Sequence, residues 1–518
     1  MSIHKDQFLQ ILLDIPNRPN TVRTRGGFYS PDLNVWVMED LIAFLQDQKK
    51  TQLDLLDAFA QMAVAAGGVH HAQIEDARAG RVWPAEWIRD ADGGRLVAFC
   101  REHLEAGYPY TCVQSTGEII PYSQAYHEPL TRLCLAIGQA LQVADESLQK
   151  QEGYLRALVD AFSLRSNQIS DLEKMDVVDT EWVRIPTDTP LLLLSEFTES
   201  YSDPLKKLVA NQPEVQAWAG QVAQQTGMPP WKFFFEFRVL AAGREALKVE
   251  EIQVLRESNH RLYASLGMGV PSEKAMTEFR KVVMVAGHGA NPPKNAKNYP
   301  NQTWIRQTYG YRNIIYANQV EASIQAEILP ALRAAFDTDW ANSRDLAEHA
   351  LHLRALCIVS HEECHPWLVF DEVSWMEEFK SDILGLWSLS NSSSIQVDLG
   401  EVLKVDLGAM LLLHRYHTYL LERGDEQFND YHVGSTIFLN HLLRQGYLVT
   451  DNEGRIVDVD GRQSHKALES VARRVIAIRL GQEDIQSMYA DLYDPAIYEK
   501  FMGWLEHQAY FENLWEGK

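Results

Sequence analysis

The sequence predicts a mostly α chain with a minor β component, an α+β fold. Three observations predict it. Apolar residues recur at three- and four-residue spacing through most of the chain. Strand-like runs are few and short. Hydrophobic residues make up 46% and charged residues 23% of 518 positions, enough to bury sizeable cores in two or three domains.

Taken in order, residues 1–185 read as a mostly helical region with irregular loops and no assigned role. Trp36 to Ala66, Gln124 to Ala144 and Glu146 to Phe162 carry helical periodicity. Gly67 to Thr116, rich in Gly, His and aromatic residues, reads as turns with short strands, which puts His70 and His71 at the surface. Residues 186–395 form the second region. A strand-like patch, Trp182 to Leu194, leads into it. Helices resume from Pro204 to His260, and the aromatic run Trp231 to Phe237 reads as the core face of one of them. Gly287 to Trp304 is irregular, and a loop of that length in a compact domain is usually functional. Leu346, Ala350, Leu353 and Cys357 mark a helix that Pro366 stops. Ser374 and Glu377 make a capping box for the next helix, and Ser388 to Ser394 reads as a linker. Residues 396–518 are helical over Val402 to Arg423 and Glu426 to Arg444. A hairpin pairs Tyr447 to Thr450 with Arg455 to Asp460, and helices follow it.

The formal net charge of −23 excludes the basic footprint of a nucleic-acid binder. No apolar run approaches the ~20 residues of a membrane span, and the first residues carry no long apolar segment of a signal peptide. Five cysteines without a CxxC pair fit a reducing compartment. The expectation is a cytoplasmic protein with no nucleic-acid or membrane partner.

The chemistry concentrates in the pentapeptide His361-Glu362-Glu363-Cys364-His365, followed by Glu377-Glu378-Phe379-Lys380-Ser381-Asp382. Imidazoles at i and i+4 of a helix share a face and can grip one ion. Glu362 lies beside the first histidine, where a general base for water activation belongs. Glu378 can supply a third, anionic ligand from the next helix. Two His and one Glu leave a fourth position open, the mark of a catalytic zinc rather than a structural one, with one ion per chain. Iron and manganese also accept such a ligand set. Glu378, Asp382 and Gly385 share one helix stripe, so Asp382 can take the spare N–H of a ligating histidine. Glu377 is open to two roles, a helix cap or a ligand-orienting carboxylate. Cys364 points off the histidine face and reads as a packed thiol.

These residues resemble the dipeptidyl peptidase III family of zinc peptidases, in the short form of the histidine motif found in some bacterial and plant relatives. That family carries a His-Glu zinc motif on one helix and an EE-x-[R/K]-[A/S]-[D/E] motif on the next. Further stretches agree in order. Glu199-Ser200-Tyr201-Ser202-Asp203-Pro204 is similar to the family's ESYxDP segment. Asn291-Pro292-Pro293-Lys294-Asn295 resembles its Asn-rich substrate loop, and Gly310-Tyr311-Arg312-Asn313 its G-[FY]-[KR]-N segment. Tyr431-His432 opens a helix similar to the one that carries the family's active-site histidine. The match spans roughly residues 190–460. It implies two lobes separated by a wide cleft, with the zinc site on the helical lobe. It implies zinc on His361, His365 and Glu378, with Glu362 as general base and acid. Glu377 and Asp382 then orient the ligands. His432, with Tyr431 beside it, steadies the substrate or the oxyanion, and Asn291 and Asn295 hydrogen-bond a peptide backbone. Without the resemblance His432 reads equally well as a hydrogen-bonded helix histidine.

The chain departs from the family where substrate ends are held. Leu192 and Leu194 stand in place of a glutamate and a tyrosine, and Thr436 in place of a basic residue. The metal chemistry is kept while dipeptide recognition is altered. The expected function is a zinc-dependent metallohydrolase, a peptidase cleaving short peptides. The alternatives are a zinc hydrolase or lyase acting on a non-peptide small molecule, and a non-enzymatic metal-binding protein. An intact Glu362 speaks against the last, because a scaffold needs ligands but no base.

Overall fold

A computed structural model describes residues 7–41, 44, 53–79, 94–163, 171–199, 213–226, 233–267, 274–290, 294–300, 302–335, 344–366, 374–392, 395, 400–410, 429–451, 456–459, 461–494 and 496. The fold is mostly α with a minor β component. It divides into two units. Unit 1 comprises residues 1–244 and 273–319, and unit 2 comprises 245–272 and 320–518.

Unit 1 is built on an eight-stranded sheet. Its strands are β1 (Val22–Thr24), β2 (Gly27–Ser30) and β3 (Val35–Met38), then β6 (Leu191–Glu199), β7 (Phe233–Ala242), β8 (Ala275–Gly287), β9 (Ala296–Tyr299) and β10 (Tyr311–Tyr316). A separate ribbon pairs β4 (Thr111–Val113) with β5 (Ile119–Pro121). The long β8 organises the sheet. Along one edge it pairs antiparallel with β7. Along the other it pairs parallel with β10 over its first half and antiparallel with β3 near its end. The helix α1 (Leu53–Arg78) packs across β7 and β8. There Gln73 Oε1 accepts the Phe235 backbone N–H at 2.9 Å. Trp36, Trp182, Phe235 and Phe237 are fully or almost fully buried in the hydrophobic core of the unit, each contributing about 1.5–3 kcal/mol of burial.

Four sequence expectations are corrected here. Trp36 lies in β3, not in a helix: Val35–Met38 is a short apolar run buried on both faces, which periodicity does not separate from a helix segment. Gly67 and Gly68 lie inside α1, because packing of its apolar face outweighs a glycine cost of about 1 kcal/mol each. His70 is therefore buried on that helix, 6% exposed, beside Asn34, whereas His71 is exposed. The aromatic run from Phe233 is a strand. Phe235 and Phe237 face the core while Glu236 and Arg238 alternate onto the other face. Among the described residues, no helix is long and apolar enough to cross a membrane.

A buried acid pair gives unit 1 a pH signature. On α2 (Leu172–Val183), Asp179 accepts a short hydrogen bond from the Tyr299 hydroxyl. Burial pushes Asp179 up to about 7, against the hydrogen bonds from Tyr299 and Gln302. Burial likewise pushes Asp176 up to about 6. Both folded values lie above the unfolded ~3.9, so the folded state binds these protons more tightly. Their stabilisation is full below about pH 4 and is lost as pH rises through about 7. Asp179→Asn keeps the acceptor for Tyr299 and removes the charge. The variant is expected to match wild type in stability below about pH 4 and to exceed it at pH 8, by at most about 4 kcal/mol. Parallel melting curves across that range would contradict the assignment.

Unit 2 places α3 (Val249–Ser265), α4 (Arg344–Glu362), α5 (Ser374–Ser390), α6 (Asn429–Arg444) and α7 (Gly461–Arg479) around α5. A hairpin of β11 (Leu448–Thr450) and β12 (Ile456–Val459) lies where the sequence places one. The Ser388–Ser394 stretch is not wholly a linker, since α5 runs through Ser390. Contact between α4 and α5 is close at Gly385, where a Cβ would fall 2.8 Å from the Ser360 carbonyl carbon and 2.9 Å from the His361 nitrogen. No larger residue fits there, and the two backbones meet at the first histidine of the motif.

Candidate metal centre

The helix α4 ends at Glu362, and the motif finishes in turns, Glu363 to Pro366. The local cause is Pro366, which drives the residue before it out of α geometry. His361 and His365 nonetheless meet. Their Nε2 atoms are 3.0 Å apart and their rings are edge-to-face, 4.7 Å between centroids. Glu378 Oε2, from α5, is 3.3 Å from His361 Nε2. Zinc with bonds of ~2.0–2.1 Å in tetrahedral geometry sets its ligand atoms ~3.3 Å apart. The His361–His365 and His361–Glu378 spacings suit such an ion.

The other ring nitrogens hold carboxylates. His361 Nδ1 is 2.6 Å from Asp382 Oδ1, and His365 Nδ1 is 3.2 Å from Glu377 Oε1 and from Ser381 Oγ. An imidazole that donates from Nδ1 leaves a bare lone pair on Nε2. Two such lone pairs 3.0 Å apart repel unless a cation or a proton lies between them. Burial pushes His361 down, but Asp382 and Glu378 outweigh it and raise the imidazole well above its ordinary range. Metal and proton therefore compete for this nitrogen.

Glu362 is 8% exposed, and its Oε2 makes no hydrogen bond among the described residues. One of its oxygens lies within 4.8 Å of a ring nitrogen of each histidine. Two carboxylates thus compete for the third ligand position. Glu378 sits one tetrahedral edge from His361 Nε2, and Glu362 lies within reach of both histidines.

Lys380 is the residue that sequence reasoning missed. It is fully buried and uses all three ammonium donors. They go to the carbonyls of Cys364 and His365, at 3.2 and 3.1 Å, and to Glu377 Oε1, at 2.6 Å. It ties α5 to the turn that carries the second histidine. Although burial raises it, Glu377 is held down to about 2 by Lys380 and His365. The Glu377 side chain is therefore spent on His365 and Lys380. From α3, Arg256 grips Glu363 with two bonds, 2.8 and 2.7 Å. Asn259 and Tyr263, on the same face of α3, reach the Cys364 sulfur at 3.8 and 3.5 Å. Cys364 is fully buried, and burial pushes its thiol up to about 11, an inert packed group. The two middle letters of the pentapeptide are thus docking points for α3. No spacing rule could show that, since Arg256 and Glu363 are 107 residues apart.

Asn291 lies outside the described residues, as do the side chains of Tyr431 and His432, whose backbone belongs to α6. Asn295 belongs to unit 1, where its Oδ1 accepts from Arg25 Nη1 at 3.2 Å and its carbonyl from the Tyr316 N–H at 2.8 Å. Leu192, Leu194 and Thr436 are fully buried.

No family model matches the chain. No curated protein matches it either. Among solved structures it is similar to dipeptidyl-peptidase III from Corallococcus sp. strain EGB, at 15% identity and a TM-score of 0.56, covering 90% of this chain and 85% of that one. It is similar to DPP III from Caldithrix abyssi at 16% identity and the same TM-score, covering 88% of this chain and 90% of that one. At these identities the likeness is one of fold.

Proposed function

We propose that the chain is a zinc-dependent metallohydrolase acting on short peptides, with zinc held by His361, His365 and Glu378. The observation that carries the reading is the pair of Nε2 atoms 3.0 Å apart, each backed by a carboxylate on its far nitrogen. That arrangement aims two lone pairs at one point and asks for a cation. When bound, zinc supplies Lewis acidity, lowering the pKa of water toward ~7 and polarising a carbonyl.

The protein's own groups do the rest. Glu362, buried and uncommitted, takes the proton of the attacking water and returns it to the leaving nitrogen. Asp382 and Glu377 hold the two imidazoles in the tautomer that frees Nε2. His432 and Tyr431 are the donors we assign to the oxyanion and the substrate, and Asn291 and Asn295 to a peptide backbone. The fold likeness to two dipeptidyl-peptidase III structures supports a peptide substrate by analogy alone. The cytoplasm is the compartment we propose, from the five cysteines without a CxxC pair.

A second reading, a zinc hydrolase of a non-peptide amide, draws on Leu192 and Leu194. Both are wholly inside the core of unit 1, with no polar end to offer a substrate amine. Zinc-loaded protein should be assayed against dipeptidyl arylamides and a library of short oligopeptides. Hydrolysis that stops on chelation is the expected result. Absence of turnover on every peptide, with the metal site full, would transfer the assignment to the second reading.

A further inference from the structure

Five ionisable side chains of unit 1 gather on one face of its sheet, and the metal chemistry uses none of them. Glu196 on β6 lies opposite Glu236 on β7 in the strand register. Arg238, two residues after Glu236, shares its face. These three are at most 1% exposed. From β9 and the loop before it, Lys297 Nζ comes within 3.2 Å of Glu196 Oε2, and Lys294 Nζ within 3.8 Å of Glu236 Oε2. Arg238 pairs with Glu236, and its guanidinium lies 4.6 Å over the Tyr316 ring.

A fold gains little by burying such a group, since well-packed apolar residues in place of buried ion pairs are often neutral or stabilising. Buried charge clusters therefore point to function. Two features point to a ligand. Nε and Nη1 of the buried Arg238 make no well-aligned hydrogen bond among the described residues, although the Tyr316 hydroxyl stands near the guanidinium, and a buried cationic donor is costly to leave unmet. Cations also outnumber carboxylates, three to two. The neighbours do not redress the balance. Burial holds His70 and His288 neutral, at about 4 and about 3; it also pushes Glu196 up and Lys294 down, to about 8, and these two shifts act on the balance in opposite directions. The cluster is open at one edge, where the Lys294 side chain is 31% and that of Lys297 14% exposed.

We propose that this cluster is an oxyanion-binding site for a small carboxylate ligand, whose oxygens take the free edge of Arg238 and the ammonium groups of Lys294 and Lys297. A guanidinium fork binds carboxylate and phosphate alike. The single surplus positive charge favours the singly charged carboxylate.

Ligand-observed NMR on the full chain tests this, with acetate and its neutral isostere acetamide as probes and inorganic phosphate as competitor. Saturable acetate binding without acetamide binding is expected. Lys294→Gln, at the open edge, should weaken it about tenfold, the loss of one charge-assisted hydrogen bond. Arg238→Lys keeps the charge beside Glu236 but removes the fork, and should weaken it as well. That second variant decides the matter if the first folds poorly. Acetate binding unchanged in both variants, as it would be if held at the metal centre, overturns the proposal. So does acetamide binding equal to acetate, or no saturation up to ~100 mM. Phosphate binding without acetate binding overturns the carboxylate assignment.

Discussion

Glu362→Gln is expected to bind one metal ion per chain as wild type does and to hydrolyse peptide about 10²–10⁴-fold more slowly. The substitution is nearly isosteric, so the buried site keeps its packing. The two imidazoles and Glu378 are untouched, and His361 Nε2 lies about one tetrahedral edge from His365 Nε2 and from Glu378 Oε2. What is lost is a carboxylate that can accept a proton. Its Oε2 makes no hydrogen bond among the described residues, so no structural partner is broken. Metal content and kcat/KM measured on one preparation separate the two roles. A variant that loses its metal would make Glu362 the ligand in place of Glu378. A variant that keeps full activity would remove it from the mechanism.

The second large effect is expected at Lys380. Lys380→Met removes a buried ammonium that satisfies Glu377 and two carbonyls of the motif turn. Breaking a buried pair from one side costs about 3–5 kcal/mol, because the partner charge stays behind. For a unit of this size that is a fall of roughly 10 °C in melting temperature. Glu377 loses the cation that keeps it ionised and turned toward His365. Metal affinity should therefore fall about 10–100-fold, the usual cost of losing a ligand's supporting contact. Calorimetry and competitive metal titration measure the two effects. A change under about 2 °C with unchanged metal affinity would show that Lys380 is a passenger.

Much of this centre was legible in the sequence, for a definite reason. Helical spacing fixes which side chains share a face, so His361 with His365, and Glu378 with Asp382, can be paired from numbering alone. The structure puts Asp382 on His361 and Glu378 beside its other nitrogen. Lys380 was written in the same motif but not read as a site residue, because lysine is almost always solvated. Arg256 was invisible because its partner is distant in sequence. In unit 1 helical periodicity misleads where a strand is apolar on both faces, at Val35–Met38, or opens on a run of phenylalanines, at Phe233–Ala242. It failed again at Gly67 and Gly68, where packing overrides a glycine signal. The charge cluster of Glu196, Glu236 and Arg238 had no signature, since its members come from two strands and become neighbours only through register.

The most direct measurement is the metal content of the purified chain beside that of His361→Ala, after exhaustive dialysis, by elemental analysis. One zinc per chain in the first and none in the second is the expected result, because His361 Nε2 is the atom that both His365 and Glu378 face. A metal-free wild type that hydrolyses peptides at full rate, or a His361→Ala variant that retains its full complement of zinc, would contradict the account.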